Sequence, residues 1–329
     1  MDSVKPVPVS VILPVYNEQE VIPLLLSRLA QLQVPGYEFE FLFVDDGSGD
    51  QSASLLVEAR DHDPRIKIIR LGRNFGHQVA ITAGLNHARG ECAMVLDADL
   101  QDPPELIPEL LRAWREGADV VYMIRRERKE SLLKRASYTL FYILYKRLAD
   151  IEVPLDAGDF CLLSRPVLEV LNAMPERVRF VRGLRSWIGF RQVGIPYQRD
   201  ARAAGRSKYS LFGLWKLAWD GLVNFSTIPL LAFGYLAGLT ACVALGLLCW
   251  AFLSHGLGYQ VPWGWTSMMV SMLFLFSIQF TFLAILSQYI SCIFLEVKGR
   301  PHYTISQTWG IETTPLSHFD LPTPGKDRP

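Results

Sequence analysis

Two carboxylates and an amide, each two residues apart, follow a short apolar run and could bind a divalent cation. They are Asp97, Asp99 and Gln101, directly after the apolar residues 92–96. If the chain stays extended beyond this run, alternate side chains point to one side and present their oxygen atoms to a common point. Hard cations such as Mg²⁺ take oxygen ligands and usually share themselves with substrate phosphates. The spacing therefore predicts a site for a metal ion and a phosphorylated substrate, although Asp-x-Asp alone also fits a solvated turn.

Two earlier apolar runs, residues 9–13 and 39–44, also end in polar or acidic clusters. In open α/β sheets the ligand crevice lies outside the carboxyl ends of the strands, so these clusters predict one shared site. The Gly and Ser residues of the second cluster equally suit a tight turn with a capped helix, and its binding role depends on the other strand ends. The first cluster contains Pro14, Tyr16 and Glu18, and the second contains Asp45 and Asp46.

Three basic stretches could meet an anionic ligand. Residues 73–77 (Arg-Asn-Phe-Gly-His) follow a third strand-like run and open a helix, whose N-terminus attracts anions. Arg125 and Arg126 end a fifth run, and residues 205–209 (Gly-Arg-Ser-Lys-Tyr) precede an apolar region. In most soluble proteins such residues form a solvated basic face, but beside a membrane they could pair with phosphate.

The N-terminal part of the chain alternates strand-like and helix-like segments, which predicts an α/β fold with parallel strands and right-handed crossovers. The strand-like runs are 8–13, 39–44, 66–70, 92–96 and 119–123. The helical patterns are 18–33, 51–60, 76–89 and 103–116.

A stretch without Asp, Glu, Lys or Arg extends from residue 221 to residue 295. It holds two apolar spans, 230–253 and 266–295, each longer than the ~20 residues that cross a bilayer. Basic residues flank both outer ends, which predicts that both flanks are cytoplasmic. A buried hairpin of a soluble protein is the alternative. Residues 131–149 are amphipathic and are interpreted either as an interfacial helix on the membrane or as a helix packed on the sheet. Residues 209–228 have a similar pattern, and here the membrane interface is favoured because the apolar stretch follows directly.

Composition excludes some classes of function. The net charge is zero, so the chain lacks the basic field of nucleic-acid-binding proteins. Its 5 cysteines have neither metal-like nor paired spacing, which favours a reducing compartment. The N-terminus has no apolar stretch of a signal peptide.

Taken together, the motifs resemble those of family 2 inverting glycosyltransferases with a GT-A fold, specifically polyprenyl-phosphate glycosyltransferases related to dolichyl-phosphate mannose synthase. The two spans look like the bacterial bactoprenol glucosyltransferase branch. The matching stretches occur in order and are specific only jointly. They are residues 14–18, 45–50, 73–77, 97–103, 156–160 (Asp-Ala-Gly-Asp-Phe) and 205–209.

The resemblance implies a role for each matched position. Asp97, Asp99 and Gln101 would bind Mg²⁺ or Mn²⁺ and the donor diphosphate. Asp97 would also bind the nucleotide sugar, and Asp99 would also be catalytic, as would Asp159. Asp159 falls where the family places an acidic residue near the reaction centre. The nucleotide-sugar pocket would comprise Pro14, Tyr16, Glu18, Asp45, Asp46 and Asn74. The phosphates would meet Arg125, Arg126, Arg135, Arg206 and Lys208.

The predicted architecture is a Rossmann-like GT-A catalytic domain with a mainly parallel sheet, followed by juxtamembrane amphipathic helices and two transmembrane helices. Its boundaries are 1–208 for the catalytic domain, 209–228 for the juxtamembrane helix, 229–296 for the hairpin and 297–329 for a cytoplasmic tail. The expected location is the inner (cytoplasmic) membrane, with the catalytic domain and both termini in the cytoplasm and room for a homo-oligomer.

The expected reaction transfers glucose from UDP-glucose to undecaprenyl phosphate and inverts the anomeric carbon. GDP-mannose, UDP-N-acetylglucosamine and UDP-4-formamido-arabinose are alternative donors, since no residue reads a sugar hydroxyl directly. A processive polysaccharide synthase is disfavoured because residues 182–187 (Arg-Gly-Leu-Arg-Ser-Trp) do not fit the Gln-x-x-Arg-Trp signature. An inactive nucleotide-sugar-binding scaffold is a further alternative, and a transporter is disfavoured by the uncharged spans.

Overall fold

The computed structural model describes residues 5–126, 157–176, 179–198 and 264–311, together with the helical positions 239, 242 and 246. The predicted helices at 131–149 and 209–228 lie outside the described residues, as does the first span except for those three positions. Arg135, Arg206 and Lys208 also lie outside them.

The alternation of strands and helices predicted for the first 125 residues is confirmed, and further elements follow it. The strands are β1 Val7–Val15, β2 Tyr37–Asp45, β3 Ile66–Leu71, β4 Cys92–Val95, β5 Val120–Arg126, β6 Ala157–Ser164, β7 Gln192–Gln198 and β8 Ile305–Trp309. The helices are α1 Ile22–Ala30, α2 Ser52–His62, α3 His77–His87, α4 Ile107–Arg115, α5 Arg165–Ala173, α6 Val181–Trp187 and α7 Gly264–Val297. A short 3₁₀ helix, Pro104–Leu106, precedes α4.

Within the described residues the strands form one mixed sheet in the order β7-β5-β6-β4-β1-β2-β3-β8. The four strands β4, β1, β2 and β3 are parallel neighbours, as expected. Strand β5 is not the next parallel neighbour, because β6 lies antiparallel between β4 and β5. The predicted Rossmann-like α/β fold is therefore confirmed, but its sheet is mixed, because β6 and β8 run antiparallel to their neighbours.

Three strands, β6, β7 and β8, were not among the predicted runs. Strand β6 carries Asp159 and is a central strand whose residues from Gly158 to Leu163 are buried. Strand β8 pairs antiparallel with β3, with Ile69 opposite Thr308. Residues 305–309, which the sequence assigned to the C-terminal tail, thus belong to the sheet.

Alternating residues of the central strands pack on opposite faces of the sheet. Val11 and Leu13 lie in a core formed with α1, α2 and α4, whereas Ile12 lies in a second core with α3, α5 and α6. Helix α3 approaches β1 very closely, because a Cβ atom at Gly84 would lie 2.2 Å from Ile12 Cγ2. This three-layer packing holds the carboxyl ends of β1, β2 and β4 at one edge of the sheet.

Helix α7 is the counterpart of the predicted second span. Among the described residues, Phe274–Val297 is the one helical stretch long and apolar enough to cross a membrane, with 24 residues and a mean hydropathy of 1.8. None of its most apolar window is buried against the rest of the chain. This surface is far more apolar than water-exposed helices normally are.

Candidate functional site

The acidic motif after β4 is a turn rather than a continued strand. Strand β4 ends at Val95, and Leu100 has a left-handed backbone with φ of 58° although it is not glycine. The backbone N–H of Gln101 donates to Asp99 Oδ1 at 3.2 Å, which closes the turn. The extended geometry expected for Asp97, Asp99 and Gln101 is therefore wrong, because the chain reverses where the strand leaves the sheet.

The loops after β1 and β2 are joined by side-chain hydrogen bonds to backbone groups. The backbone N–H of Asn17 donates to Ser48 Oγ at 3.0 Å, and Gly49 N–H donates back to Asn17 Oδ1 at 2.9 Å. Glu18 N–H donates to Ser52 Oγ at 2.9 Å. These bonds satisfy donors that would otherwise be orphaned and fix the two strand ends as one rigid rim.

Asp45 and Asp46 are buried and hold this rim from inside. Asp45 Oδ1 accepts the N–H of Ser48 at 2.9 Å, and its Oδ2 lies 3.2 Å from Arg70 Nε. Asp46 accepts the N–H groups of Phe75 at 2.7 Å and Gly76 at 2.9 Å. Burial raises the pKa of Asp46, although these two bonds oppose the shift. Both carboxylates thus shape the walls of the predicted nucleotide pocket.

The loop after β3 is pressed against the loop after β2. A Cβ atom at Gly47, whose φ is 69°, would lie 2.6 Å from the backbone carbon of Arg73. The Arg73 guanidinium lies 4.2 Å from the Phe75 ring centroid, and Asn74 is exposed beside them. Only glycine permits this approach, so Gly47 is needed to bring the third strand end into the rim.

Asp159 on β6 lies at the centre of a network that reaches three other elements. Its Oδ1 accepts Arg182 Nε of α6 at 2.7 Å, and its Oδ2 accepts Arg182 Nη2 at 2.8 Å. His77 Nε2, at the start of α3, lies 3.2 Å from Asp159 Oδ2 and 3.5 Å from Asp97 Oδ1. A bidentate guanidinium–carboxylate pair is among the strongest side-chain contacts and fixes Asp159 in one orientation.

The charges of this network shift several pKa values. Burial favours the neutral form of Asp159, but the charges and hydrogen bonds of Arg182 and His77 together hold its pKa well below its ordinary value. Burial would lower the pKa of His77, yet the hydrogen bond to Asp159 and the charge of Asp97 raise it to about 9. Asp159 is therefore anionic and a weak base at neutral pH.

Asp97 and Asp99 fit a divalent cation that is completed by its substrate. Asp97 Oδ1 is buried and has no hydrogen-bond partner among the described residues. Burial raises the pKa of Asp97 to about 6, and the charges of Asp159, Asp102 and Asp99 add to this shift, whereas the charge of His77 opposes it. In the described part of the chain no three acidic, His or Cys side chains stand ready to hold a metal alone. An incomplete oxygen site of this kind suits Mg²⁺ or Mn²⁺ shared with phosphates.

The remaining predicted site residues are placed around the same edge of the sheet or are not described. Pro14 is buried in β1 opposite Val44, and Tyr16 just beyond the strand is 38% exposed. Glu18 is half-buried in the loop that joins Ser52. Arg125 and Arg126 end β5, at the same end of the sheet as the rim, because β6 runs antiparallel to both β4 and β5.

Two residues of the network had no predicted role. His77 closes the 73–77 motif, and Arg182 opens the stretch that was compared only with a processive-synthase signature. Arg182 was not among the basic residues expected to bind phosphate. It binds the carboxylate of Asp159, 23 positions away in the sequence. Sequence spacing contains no signal for that pair, because it depends on where α6 packs over β6.

The chain matches known glycosyltransferases. The family model described as Glycosyl transferase family 2 matches residues 10–171. The uncharacterized glycosyltransferase YkcC of Bacillus subtilis is 41% identical over 309 residues, covering 93% of this chain and 96% of that protein. The SfII prophage-derived bactoprenol glucosyl transferase of Shigella flexneri is 36% identical over 302 residues, covering 91% of this chain and 98% of that protein.

A solved structure, mannosyltransferase PcManGT from Pyrobaculum calidifontis in complex with GDP-Man and Mn²⁺, is 17% identical with a TM-score of 0.48 over 91% of this chain and 89% of that one. The two sequence relatives are matched along nearly their whole length, well above 30% identity, and both are named as glycosyltransferases. The chain therefore belongs to glycosyltransferase family 2 and is a glycosyltransferase.

Proposed function

We propose that this protein is a membrane-bound inverting glycosyltransferase that transfers glucose from UDP-glucose to a polyprenyl phosphate, undecaprenyl phosphate in bacteria. The observation that carries the proposal is the near full-length similarity to a bactoprenol glucosyl transferase, 36% over 91% of this chain. The product would be a β-linked polyprenyl-phosphate glucose, since attack opposite the leaving group inverts an α-linked donor.

The charge state of Asp159 supports a phosphate acceptor. A sugar hydroxyl must lose a proton to attack, and a general base with a pKa near the working pH is then needed. A phosphate oxygen is already anionic at neutral pH and needs no such base. Asp159 has a depressed pKa because Arg182 binds it on two sides, so it is poorly suited to remove a proton. It would instead orient the acceptor or the sugar.

The site must also bring two anions together. Asp97, Asp99 and Gln101 would hold Mg²⁺ or Mn²⁺, which would neutralise the leaving nucleotide diphosphate. His77, with its raised pKa, places a positive charge between Asp97 and Asp159. The acceptor phosphate would meet Arg125 and Arg126 at the end of β5, together with Arg135, Arg206 and Lys208 from the neighbouring basic stretches. The rim formed by the loops after β1, β2 and β3 would hold the nucleotide.

A donor panel tests this proposal. Purified protein in detergent receives undecaprenyl phosphate, Mg²⁺ and one radiolabelled nucleotide sugar at a time: UDP-glucose, GDP-mannose, UDP-N-acetylglucosamine or UDP-4-formamido-arabinose. Label that enters the organic phase only from UDP-glucose supports both the reaction class and the donor. Transfer from another sugar keeps the mechanism and overturns the donor. Nucleotide binding without transfer from any sugar favours the inactive scaffold.

Asp159→Asn separates orientation from binding. The amide keeps the shape but loses the charge that Arg182 and His77 contact, so the turnover number should fall by about 10²-fold, as for a misplaced reacting group. The dissociation constant for UDP should change little, because the nucleotide rim is formed by other residues. Equal losses in turnover and UDP affinity would contradict an orienting role, and an unchanged turnover number would remove Asp159 from the mechanism.

A further inference from the structure

The chain returns to the catalytic domain directly after helix α7. Seven residues, 298 to 304, separate the end of the helix from β8. We call residues 303–309 the return segment. Its strand part pairs with β3, where Ser306 Oγ donates to the carbonyl oxygen of Arg70 at 3.0 Å. The first two residues of the segment contact two parts of the domain that lead to the site: Tyr303 contacts helix α3, and Thr304 contacts the loop 72–76.

Thr304 holds the start of the loop 72–76. The backbone N–H of Gly72 donates to the Thr304 carbonyl oxygen at 2.8 Å. The other end of this loop is held by Asp46, which accepts the N–H groups of Phe75 and Gly76. The loop is thus fixed from inside by a site carboxylate and from outside by the return segment.

Tyr303 holds the far end of α3. Asn86 Nδ2 donates to the Tyr303 hydroxyl at 3.1 Å, and the ring centroids of Tyr303 and His87 are 6.4 Å apart. The first turn of the same helix carries His77, which reaches Asp159 and Asp97, and Gln78, whose Oε1 accepts the Val181 N–H at 3.0 Å. A shift of α3 along its axis would therefore move the groups that surround Asp159.

We propose that Tyr303 and Thr304 are positioning residues of the donor site, through which the segment that follows the membrane helix sets the loop 72–76 and helix α3. This inference rests on the proposed function. It makes the donor pocket depend on a segment that is continuous with α7 and whose Thr304 lies 232 positions beyond Gly72 in the sequence. Catalytic geometry is sensitive to such remote contacts, since a displacement of about 1 Å can cost 10²-fold in rate.

A clash and its relief test the role of Thr304. A Cβ atom at Gly72 would lie 2.7 Å from Thr304 Oγ1, whereas the next Thr304 atoms lie at 3.7 and 3.8 Å, which is ordinary contact. Gly72→Ala should push the return segment off the loop and raise the KM for the nucleotide sugar and the dissociation constant of UDP by about tenfold, ~1.4 kcal/mol. Gly72→Ala with Thr304→Ala removes the clashing oxygen and should return both constants to within about twofold of the wild type. The KM for the lipid acceptor should change less than the KM for the donor.

The outcomes separate this inference from its alternatives. No change in Gly72→Ala, or a loss that the double variant does not relieve, overturns it, because the effect would then be absent or local to the loop. Replacing Thr304 by Ala in the double variant keeps the backbone carbonyl that accepts the Gly72 N–H, so the relief tests the clash alone.

Hydrogen exchange gives a readout that needs no activity. Tyr303→Ala should reduce protection of peptides covering residues 72–87, whereas Trp187→Ala, at a tryptophan that is 64% exposed, should not. Unchanged protection of residues 72–87 in Tyr303→Ala would overturn the inference even if the wild type transferred no sugar. Absence of transfer by the wild type would instead count against the proposed function alone.

Discussion

Arg182 is the residue that sets the charge of Asp159, and its replacement should alter both rate and pH dependence. Arg182→Gln removes both bonds to Asp159 and leaves a buried carboxylate with less compensation. The turnover number should fall by about 10²-fold because Asp159 loses its fixed orientation. The pKa of Asp159 should rise, so the acid limb of the turnover number against pH should move to higher pH than in the wild type.

Two further variants define this prediction. Arg182→Lys keeps the charge but not the bidentate geometry, and should recover the pH profile better than the rate. Arg191→Gln, at an exposed arginine, should match the wild type in both. An Arg182→Gln enzyme with a normal acid limb would show that another group controls Asp159.

Asp97 should control the metal requirement. Asp97→Asn should raise the concentration of Mg²⁺ or Mn²⁺ for half-maximal activity at least about tenfold, ~1.4 kcal/mol. In the wild type, protons compete with the metal below about pH 6, the raised pKa of Asp97, so apparent metal affinity should fall between about pH 7 and pH 5. Activity measured against metal concentration at each pH, after removal of bound metal with EDTA, checks both.

The exposed carboxylate Asp61 on α2 supplies the matched control. Asp61→Asn should keep the wild-type metal requirement at every pH. Full activity after exhaustive metal removal, or an Asp97→Asn enzyme with an unchanged requirement, would contradict a metal at this site.

At the scale of elements, the junction of two loops depends on Gly47. Gly47→Ala places a methyl group 2.6 Å from the Arg73 backbone at a φ of 69°, which L-residues rarely adopt. The free energy of unfolding should fall by about 1–3 kcal/mol, as for overpacked buried sites. The UDP dissociation constant should rise because the loop after β3 moves away from the loop after β2.

Gly49 is two residues away and gives a matched control. A Cβ atom there meets nothing within 4 Å, and the residue is exposed. Gly49→Ala should change the free energy of unfolding by no more than about 0.5 kcal/mol. Chemical denaturation of both variants with and without UDP measures the two effects, and equal losses would show that the close approach does not matter.

Elements with a strong local pattern were predictable, and those defined by distant pairing were not. Strands β1 to β4 and helices α1 to α4 follow from apolar runs and helical periodicity, because their buried faces repeat within a few residues. Strand β8 is a short edge strand, Ile305–Trp309, with an ordinary polar sequence, and it is recognisable only by its pairing with β3. The same limit applies to the site, where the clusters at Asp45 and Asp97 could be found but the Asp159–Arg182 pair could not.

At the scale of the whole molecule, the position of β8 restricts how the chain can pass a membrane. Residues before the apolar region and residues after it belong to the same sheet, so both lie on the same side of any bilayer. The seven residues between α7 and β8 extend to at most about 25 Å, whereas a hydrocarbon core is about 30 Å thick. If α7 crosses the membrane, the chain must therefore cross it an even number of times in all to bring β8 back to the sheet, as the two-span prediction requires.

Cysteine labelling tests this topology in a variant that lacks the 5 native cysteines. Gly258→Cys, between the predicted spans, should react with a membrane-impermeant maleimide in spheroplasts. Arg300→Cys, beyond α7, should react only in inverted vesicles, because β8 keeps this end of the helix beside the sheet. Glu58→Cys on the exposed surface of α2 marks the side of the catalytic domain. Labelling of Arg300→Cys together with Gly258→Cys in spheroplasts would place the two ends of α7 on one side, and α7 would then lie on the membrane instead of crossing it.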